Sequence, residues 1–326
     1  MKHLITVLAV IILVANFVSA QPPDTLWTKT YGGNNEEEGY GVYQTSDGGY
    51  ILTGETYSYS AGQADVYLVK TNIDGDTLWT KHYGGIQIDY GYSVKETIDG
   101  GYIVTGFTSS FGLGGYNFYL IKTDNNGDTL WTKTYGGQDN DYAYEVHQTL
   151  DNGFIIVGET VSYGNGSQVL LVKTDVSGDT LWTKTYGGSG NEQGYSVKQT
   201  TDGGYIITGG TTSYGYGNTD VWLIKTNSNG DTLWTKTFGG TMGDFGRSVQ
   251  LTNDNGFIIA GYTNSLGPET YDYYLVKTNA NGDTLWTHTY GNPYVNDYGR
   301  SVHQTDDDGY IISGYAGYTY DLYLVG

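Results

Sequence analysis

The chain has no cysteine, only 4 prolines and 2 methionines, and 15 basic residues against 35 acidic ones in 326. Without cysteine there is no disulfide, no thiol nucleophile and no lipoprotein anchor, so the fold rests on packing alone. A formal charge of −20 opposes nucleic acid and anionic membrane surfaces as partners. There is no Gly-x-Ser-x-Gly elbow and no phosphate loop ending in Gly-Lys-Ser/Thr. No apolar run reaches the roughly 20 residues that a bilayer core requires. The longest, Leu4 to Val18, is broken only by Thr6 and Asn16, follows Met1-Lys2-His3 and ends at Val18-Ser19-Ala20. That is the layout of a secretory signal over 1–20, cleaved after Ala20. The mature chain, 21–326, is expected to be a monomer, secreted or at the cell surface (extracellular or periplasmic), with no membrane span.

What is plentiful is glycine (51) and aromatic side chain (34 Tyr, 8 Phe, 7 Trp). With Val and Ile throughout, this is the composition of a packed, turn-rich β protein, not a disordered one. Asp-Thr-Leu-Trp-Thr occurs six times, with tryptophans at Trp27, Trp79, Trp131, Trp182, Trp234 and Trp286. This near-constant period outweighs the two domains that length alone suggests, and makes residues 21–326 one array.

Each period holds four strand-like segments. In the second they are Tyr92 to Thr97, Tyr102 to Gly106 after Asp99-Gly100-Gly101, Phe118 to Lys122 after a Gly- and Ser-rich loop, and Thr129 to Tyr135 after Asn126-Gly127. Alternating aromatic and β-branched residues between tight turns predict four antiparallel strands, the blade of a β-propeller. The N-terminal stretch supplies only a fourth strand, Thr25 to Tyr31, and the last residues supply a first, second and third. The expected fold is therefore an all-β, six-bladed β-propeller whose last blade is closed by the N-terminal strand, removing two open sheet edges.

The runs Asp-Thr-Leu-Trp-Thr-Lys-Thr-Tyr-Gly-Gly and Asp-Gly-Gly-Tyr-Ile-Ile-Thr-Gly resemble the repeats of secreted bacterial β-propeller proteins, over the whole mature chain. That resemblance implies an extracellular or cell-surface place, often in bacteria with type IX secretion, and no particular activity. The chain ends at Gly326 without the C-terminal sorting domain common among such relatives. A fainter similarity, through the docking tryptophan, is to quinoprotein dehydrogenase propellers; six copies and no Cys pair depart from that pattern.

In such a blade one face carries the short turns, as at Asp74-Gly75, Asp202-Gly203-Gly204 and Asn229-Gly230, and offers little side chain. The other carries the longer second-to-third and fourth-to-first loops, and binding is expected there. Its loops hold Tyr57, Tyr59, Phe111, Tyr163, Tyr214 and Tyr216, and the last, Gly314 to Asp321, is shorter by four residues. Near the start of the first strand one aligned position reads Tyr40, Tyr92, Tyr144, Tyr195, Arg247 and Arg300. Tyr-rich rims suit sugar rings, and paired guanidinium groups can hold a carboxylate or sulfate. The two arginines can equally pair with neighbouring acids or rings.

Three residues earlier stand Glu37, Asp89, Asp141, Glu192, Asp244 and Asp297. Carboxylates in Gly-rich loops accept backbone N–H groups; the sharper reading is a ring that binds calcium. The turns Asp74-Gly75-Asp76 and Asp124 to Asp128 resemble calcium loops, but lack the closing Glu and read as hairpin turns. One tryptophan per blade reads as inter-blade packing, and Trp222 as core. His3 lies in the leader, His82 and His288 on outer strands, and His147 and His303 on opposite blades, an arrangement that does not make a metal site. No cofactor is expected. Near-identical blades favour a non-enzymatic binding, adhesion or scaffold module for carbohydrate or surface protein, since catalysis needs an asymmetric constellation. The alternatives are a carbohydrate-active or quinone-dependent enzyme on the same face, marked by a blade-specific cluster of shifted pKa values, and a purely structural surface protein.

Overall fold

The computed structural model describes residues 26–267, 270–317 and 321–325; the expected secretory signal over 1–20 and Thr25 lie outside them. No helix is present there, and none is long and apolar enough to cross a membrane. Five four-stranded antiparallel sheets and one of three strands follow one another along the chain. We number them sheets one to six. Within each, consecutive strands are neighbours. The first strands are Glu37–Gln44, Asp89–Glu96, Asp141–Gln148, Glu192–Gln199, Asp244–Leu251 and Asp297–Gln304. They begin three residues before the position read from sequence, because the leading acid is already paired to the second strand, as Asp89 is to Thr108.

The third strands of sheets one to five, such as Asp65–Thr71 and Gln168–Thr174, are buried at every residue, whereas the fourth strands alternate exposed and half-buried. Apolar residues from adjacent sheets interlock. Ile51, Val66 and Leu68 of sheet one, for example, pack with Val94, Tyr102 and Ile121 of sheet two. Equivalent clusters join sheets two to three, three to four, four to five and five to six.

The outer strand staples its sheet to the next. Trp131 meets Phe154 with ring centroids 5.8 Å apart and covers Gly178; Lys133 pairs with Asp179 at 2.7 Å; and the Tyr135 hydroxyl donates to the Gly178 carbonyl at 2.7 Å. Gly178 has φ +77°, so the turn beneath the indole takes the left-handed backbone that glycine adopts without strain. The same triple contact recurs for Trp79, Lys81 and Tyr83.

The expected fourth strand of the last blade is not formed among the described residues: 26–33 pair with no sheet, and the sixth sheet stops at Asp321–Val325. Its contacts to sheet one are nonetheless those of an outer strand. Trp27 lies 5.8 Å from Tyr50, Lys29 pairs with Asp76 at 2.7 Å, and the Tyr31 hydroxyl donates to the Gly75 carbonyl at 2.8 Å. The inner edge of this seam is open. Val42 is 64% exposed, whereas its counterparts Val94, Val146, Val197, Val249 and Val302 are at most 2% exposed.

Buried lysines hold the short turns. Lys70 is 3% exposed and donates to Asp47 at 2.8 Å and to the Thr71 carbonyl at 2.9 Å; Lys122, Lys173, Lys225 and Lys277 repeat this with Asp99, Asp151, Asp202 and Asp254. The calcium-like segment Asp124 to Asp128 is a hairpin turn. Asp124 Oδ1 accepts the Asn126 and Asp128 amides, and Asp128 pairs with Lys81.

Candidate functional site

In each sheet the register between the first and second strands slips by one residue. In sheet two Gly91 faces Gly106 and Ser93 faces Thr105, so Tyr92 faces nothing. The skipped residues of the six sheets are Tyr40, Tyr92, Tyr144, Tyr195, Arg247 and Arg300. A β-bulge re-aims its extra residue, and here it turns these six side chains into a central channel. The channel is a cavity of about 390 Å³ lined by all six first strands.

The ring residues touch in sequence. Tyr40 and Tyr92 centroids are 4.9 Å apart, Tyr92 and Tyr144 5.7 Å, and Tyr144 and Tyr195 5.0 Å. The Arg247 guanidinium then lies 3.7 Å from the Tyr195 ring centre. Burial raises the Tyr144 hydroxyl, and pushes Tyr195 up to about 12 against the pull of Arg247, so both stay neutral hydrogen-bonding groups. Arg247 donates to the Tyr262 hydroxyl at 2.6 Å and Arg300 to that of Tyr315 at 3.0 Å. Both arginines therefore pair with aromatic residues, and neither forms an ion pair among the described residues.

Directly above the ring, cross-strand partners differ from sheet to sheet: Glu38 with Glu55, Tyr90 with Phe107, Tyr142 with Glu159, Gln193 with Gly210, Phe245 with Tyr262, and Tyr298 with Tyr315. They make two aromatic arcs, one through Tyr90, Phe107, Tyr116 and Tyr142, the other through Phe245, Tyr262, Tyr271 and Tyr298. Carboxyl and amide groups separate them. Burial pushes Glu55 up to about 6 and raises Glu159, which feels Arg247. One oxygen of each is buried without a hydrogen-bond partner. Sequence reasoning missed this tier. The signal was the second-strand position Glu55, Phe107, Glu159, Gly210, Tyr262 and Tyr315, where the copies diverge most.

The six acids expected as a cation ring are each engaged at their own loop. Asp89 accepts the Gly85 amide at 2.9 Å, the Ser110 hydroxyl at 2.6 Å and the Thr108 hydroxyl; Glu37, Asp141, Glu192, Asp244 and Asp297 likewise accept the amide four or five residues before them. No three His, Asp or Glu residues converge on a metal-sized centre among the described residues. In three seams a second buried carboxyl approaches. Asp65, Asp220 and Asp272 are raised by burial and by Asp89, Asp244 and Asp297, with Asp220 pushed up to about 6.

Tyr59, Phe111, Tyr163 and Tyr214 are not brought to the ring. The Tyr59, Tyr163 and Tyr214 hydroxyls donate to carbonyls of Gly32, Gly136 and Gly187, and Tyr59, Phe111 and Tyr214 lean on Tyr67, Tyr119 and Trp222. They rivet loops together. Tyr57 does join the rim, its hydroxyl 3.2 Å from that of Tyr90. Trp222, 4% exposed, is core.

The turn face, expected to offer little, holds a cavity of about 550 Å³ between sheets three and four. His147 and Lys198 line it beside Ile98, Leu150 and Leu251. In the channel wall behind, His147 Nε2 lies 2.8 Å from Glu145 Oε1 and 2.6 Å from Lys198 Nζ, and Lys198 pairs with Glu145 at 2.5 Å. Burial and the Lys198 charge push His147 down to about 4, so it is neutral at pH 7. Burial alone would raise Glu145, but Lys198 and His147 hold it well below the carboxylate range. Comparing His147 with His303 hid this cluster; its partner lies one repeat on. His82 meets Asp65 at 3.5 Å, and His288 stacks on Trp286.

No protein-family model and no curated protein matches the chain. Among solved structures it is similar to the NanB sialidase of Streptococcus pneumoniae, at 9% identity and TM-score 0.54, covering 94% of this chain and 70% of that one. It is also similar to a glucose dehydrogenase, at 11% identity and TM-score 0.51, covering 89% and 96%. At such identities the likeness concerns the fold alone: the chain has a β-propeller fold built of four-stranded antiparallel sheets.

Proposed function

We propose that this is an exported, closed six-bladed propeller, residues 25–31 completing the last blade, that binds carbohydrate or a surface protein at the loop-face mouth of its channel without catalysis. The observation that carries this reading is the unbroken run from Tyr40 through Tyr92, Tyr144 and Tyr195 to Arg247 around one cavity. Aromatic faces with hydroxyl edges pack on sugar C–H groups and bond sugar hydroxyls, and a preformed ring loses little entropy on binding. The outer-strand contacts of Trp27, Lys29 and Tyr31 support closure, and the leader motif and the repeat resemblance support export. A glycan array with the purified protein tests the reading. Binding that disappears in Arg247→Ala with Arg300→Ala supports it, and binding unchanged in that double variant refutes the site.

A second reading is a carbohydrate-active enzyme, favoured by the buried Glu55 and the half-buried Glu159, two carboxyls on different sheets with raised pKa. Release of reducing ends from a bound glycan, lost in Glu55→Gln or Glu159→Gln, would decide for catalysis.

A further inference from the structure

The distribution of positive charge singles out the channel. Of the 15 basic residues, Lys2 lies outside the described residues and ten lysines occupy repeated ion pairs with turn aspartates, as Lys70 does with Asp47 and Lys29 with Asp76. The remaining four, Lys95, Lys198, Arg247 and Arg300, all stand on first strands. The described cations outside the repeated pairs thus gather around one axis in a chain with 35 acids.

They form two tiers. Arg247 and Arg300 occupy the bulge position, and Lys95 and Lys198 stand three residues further along their strands, about 10 Å deeper at a strand rise of about 3.3 Å per residue. Between the tiers lie Ser93, Ser196 and Ser248. Each serine Oγ accepts the amide of the next sheet's valine, at 3.2 to 3.5 Å, and makes no other hydrogen bond among the described residues, so its hydroxyl proton remains to be donated. Lys95 is half-buried against the Tyr43 ring, 5.0 Å away, and pairs with no described carboxylate. Glu145 replaces the serine in sheet three. Its Oε2 accepts the Val197 amide at 2.8 Å and its Oε1 is taken by Lys198. Arg247 Nε is buried without a partner. Between the rim and the turn face the wall therefore offers donors and cations, and its one carboxylate is already saturated.

We propose that the channel is an oxyanion-binding site: a small molecule bearing a carboxylate or sulfate seats that group among Arg247, Arg300, the three serine hydroxyls and Lys95. This deepens the binding reading above, on which the choice of an acidic sugar rests. The acidic exterior repels nucleic acid and other extended polyanions, and the cavity of about 390 Å³ admits a group of monosaccharide size. Guanidinium forks above and hydroxyl and ammonium donors below give the anion charge-assisted bonds out of bulk water, where they are strongest.

Isothermal titration at constant ionic strength with sodium sulfate, glucuronate and glucose tests this, with melting temperature as a second readout. Sulfate or glucuronate should bind with one-to-one stoichiometry and raise the melting temperature. Arg247→Gln and Lys95→Met should each weaken binding about tenfold or more, while Lys236→Gln, on an outer strand, should not. Lys95→Met removes a charge that makes no direct ion pair among the described residues and should fold; its circular dichroism and melting curve check that. No binding of either anion, or binding in Lys95→Met and Arg247→Gln as tight as in the unchanged protein, overturns the proposal. Glucose binding as tightly as glucuronate overturns the anion site and leaves the carbohydrate reading standing. Sulfate and glucuronate binding equally well, with glucose silent, supports the oxyanion site and removes the sugar as its source of specificity.

Discussion

If residues 25–31 close the ring, Trp27 has the same work as the tryptophans within the chain. It is 39% exposed, packs on Tyr50 and covers Gly75, as Trp131 packs on Phe154 and covers Gly178. An indole that is about 60% buried hides on the order of 150 Å², and at about 25 cal/mol per Å² its removal costs ~3 kcal/mol once the methyl that remains is allowed for. For a protein of this size that lowers the melting temperature by roughly 6 °C. The assay is thermal unfolding, followed by near-ultraviolet dichroism, of Trp27→Ala beside Trp131→Ala, which calibrates the effect of one interior staple. In a closed ring the first seam must open for the molecule to unfold, so the two losses should be similar. If the N-terminal stretch is a tail that frays before global unfolding, Trp27→Ala leaves the transition where it was. A shift for Trp27→Ala below about a quarter of that for Trp131→Ala would refute closure.

Three further outcomes follow from the charges. Asp202→Ala strands the buried ammonium of Lys225 and should cost about 3 kcal/mol or more in urea unfolding, whereas Asp231→Ala, which frees the more exposed Lys184, should cost only a small fraction of that; equal costs would refute the distinction. Asp220→Asn should stabilise the protein by about 2 kcal/mol at pH 7.5 and by almost nothing at pH 4, because Asn117 and Gln168 already stand at this position in sheets two and three, where Gln168 donates to Glu192; a loss at pH 7.5 would show that the carboxylate is used. Folded-state values of about 6 for Glu55 and Asp220, with Glu159, Asp65 and Asp272 also raised, mean that stability present below about pH 4 is lost as pH rises through 6; the drop of His147 to about 4 works the other way over the same range, and the lowered Glu145, Asp47, Asp202 and Asp254 give up their stability only below about pH 4. The melting temperature should therefore be higher at pH 5 than at pH 7.5, and a flat or rising profile over that window would contradict the burial of these carboxyls.

The repeat made the strands legible because one period of apolar alternation and turn residues recurs with few changes, and each copy must bury the same faces against its neighbours. Thr129 to Tyr135 is a strand in the structure with the bounds read from sequence. The ring of Tyr40, Tyr92, Tyr144, Tyr195, Arg247 and Arg300 could be aligned, but not why it faces the channel, since a bulge is a property of two strands in register. Glu55 and Glu159 escaped notice because only the first strand was compared between copies, while their environment is set by the cross-strand partners Glu38 and Tyr142. Glu145, His147 and Lys198 are three ordinary polar residues until sheets three and four are placed side by side. The loop tyrosines misled for the opposite reason. Tyr59, Tyr163 and Tyr214 recur at one position, and what recurs in a propeller usually serves the contact every blade must make.

That last point separates scaffold from site. Lysines within the Leu-Ile-Lys-Thr and Trp-Thr-Lys-Thr motifs belong to the repeat, and every such lysine among the described residues is neutralised by an aspartate of the repeat. Subtracting the repeat leaves Lys95, Lys198, Arg247 and Arg300 as the described cations outside the repeated pairs. Buried or half-buried charges are expensive unless something meets them. Lys198 is met by Glu145, but the half-buried Arg247 rests on the Tyr195 ring and Lys95 on Tyr43, which offset only part of the lost hydration, while Arg300 is exposed beside Tyr315. The departure of sheet five from the tyrosine of sheets one to four is thus where hydration has been given up, and the proposed anion, which supplies the missing negative charge, accounts for it.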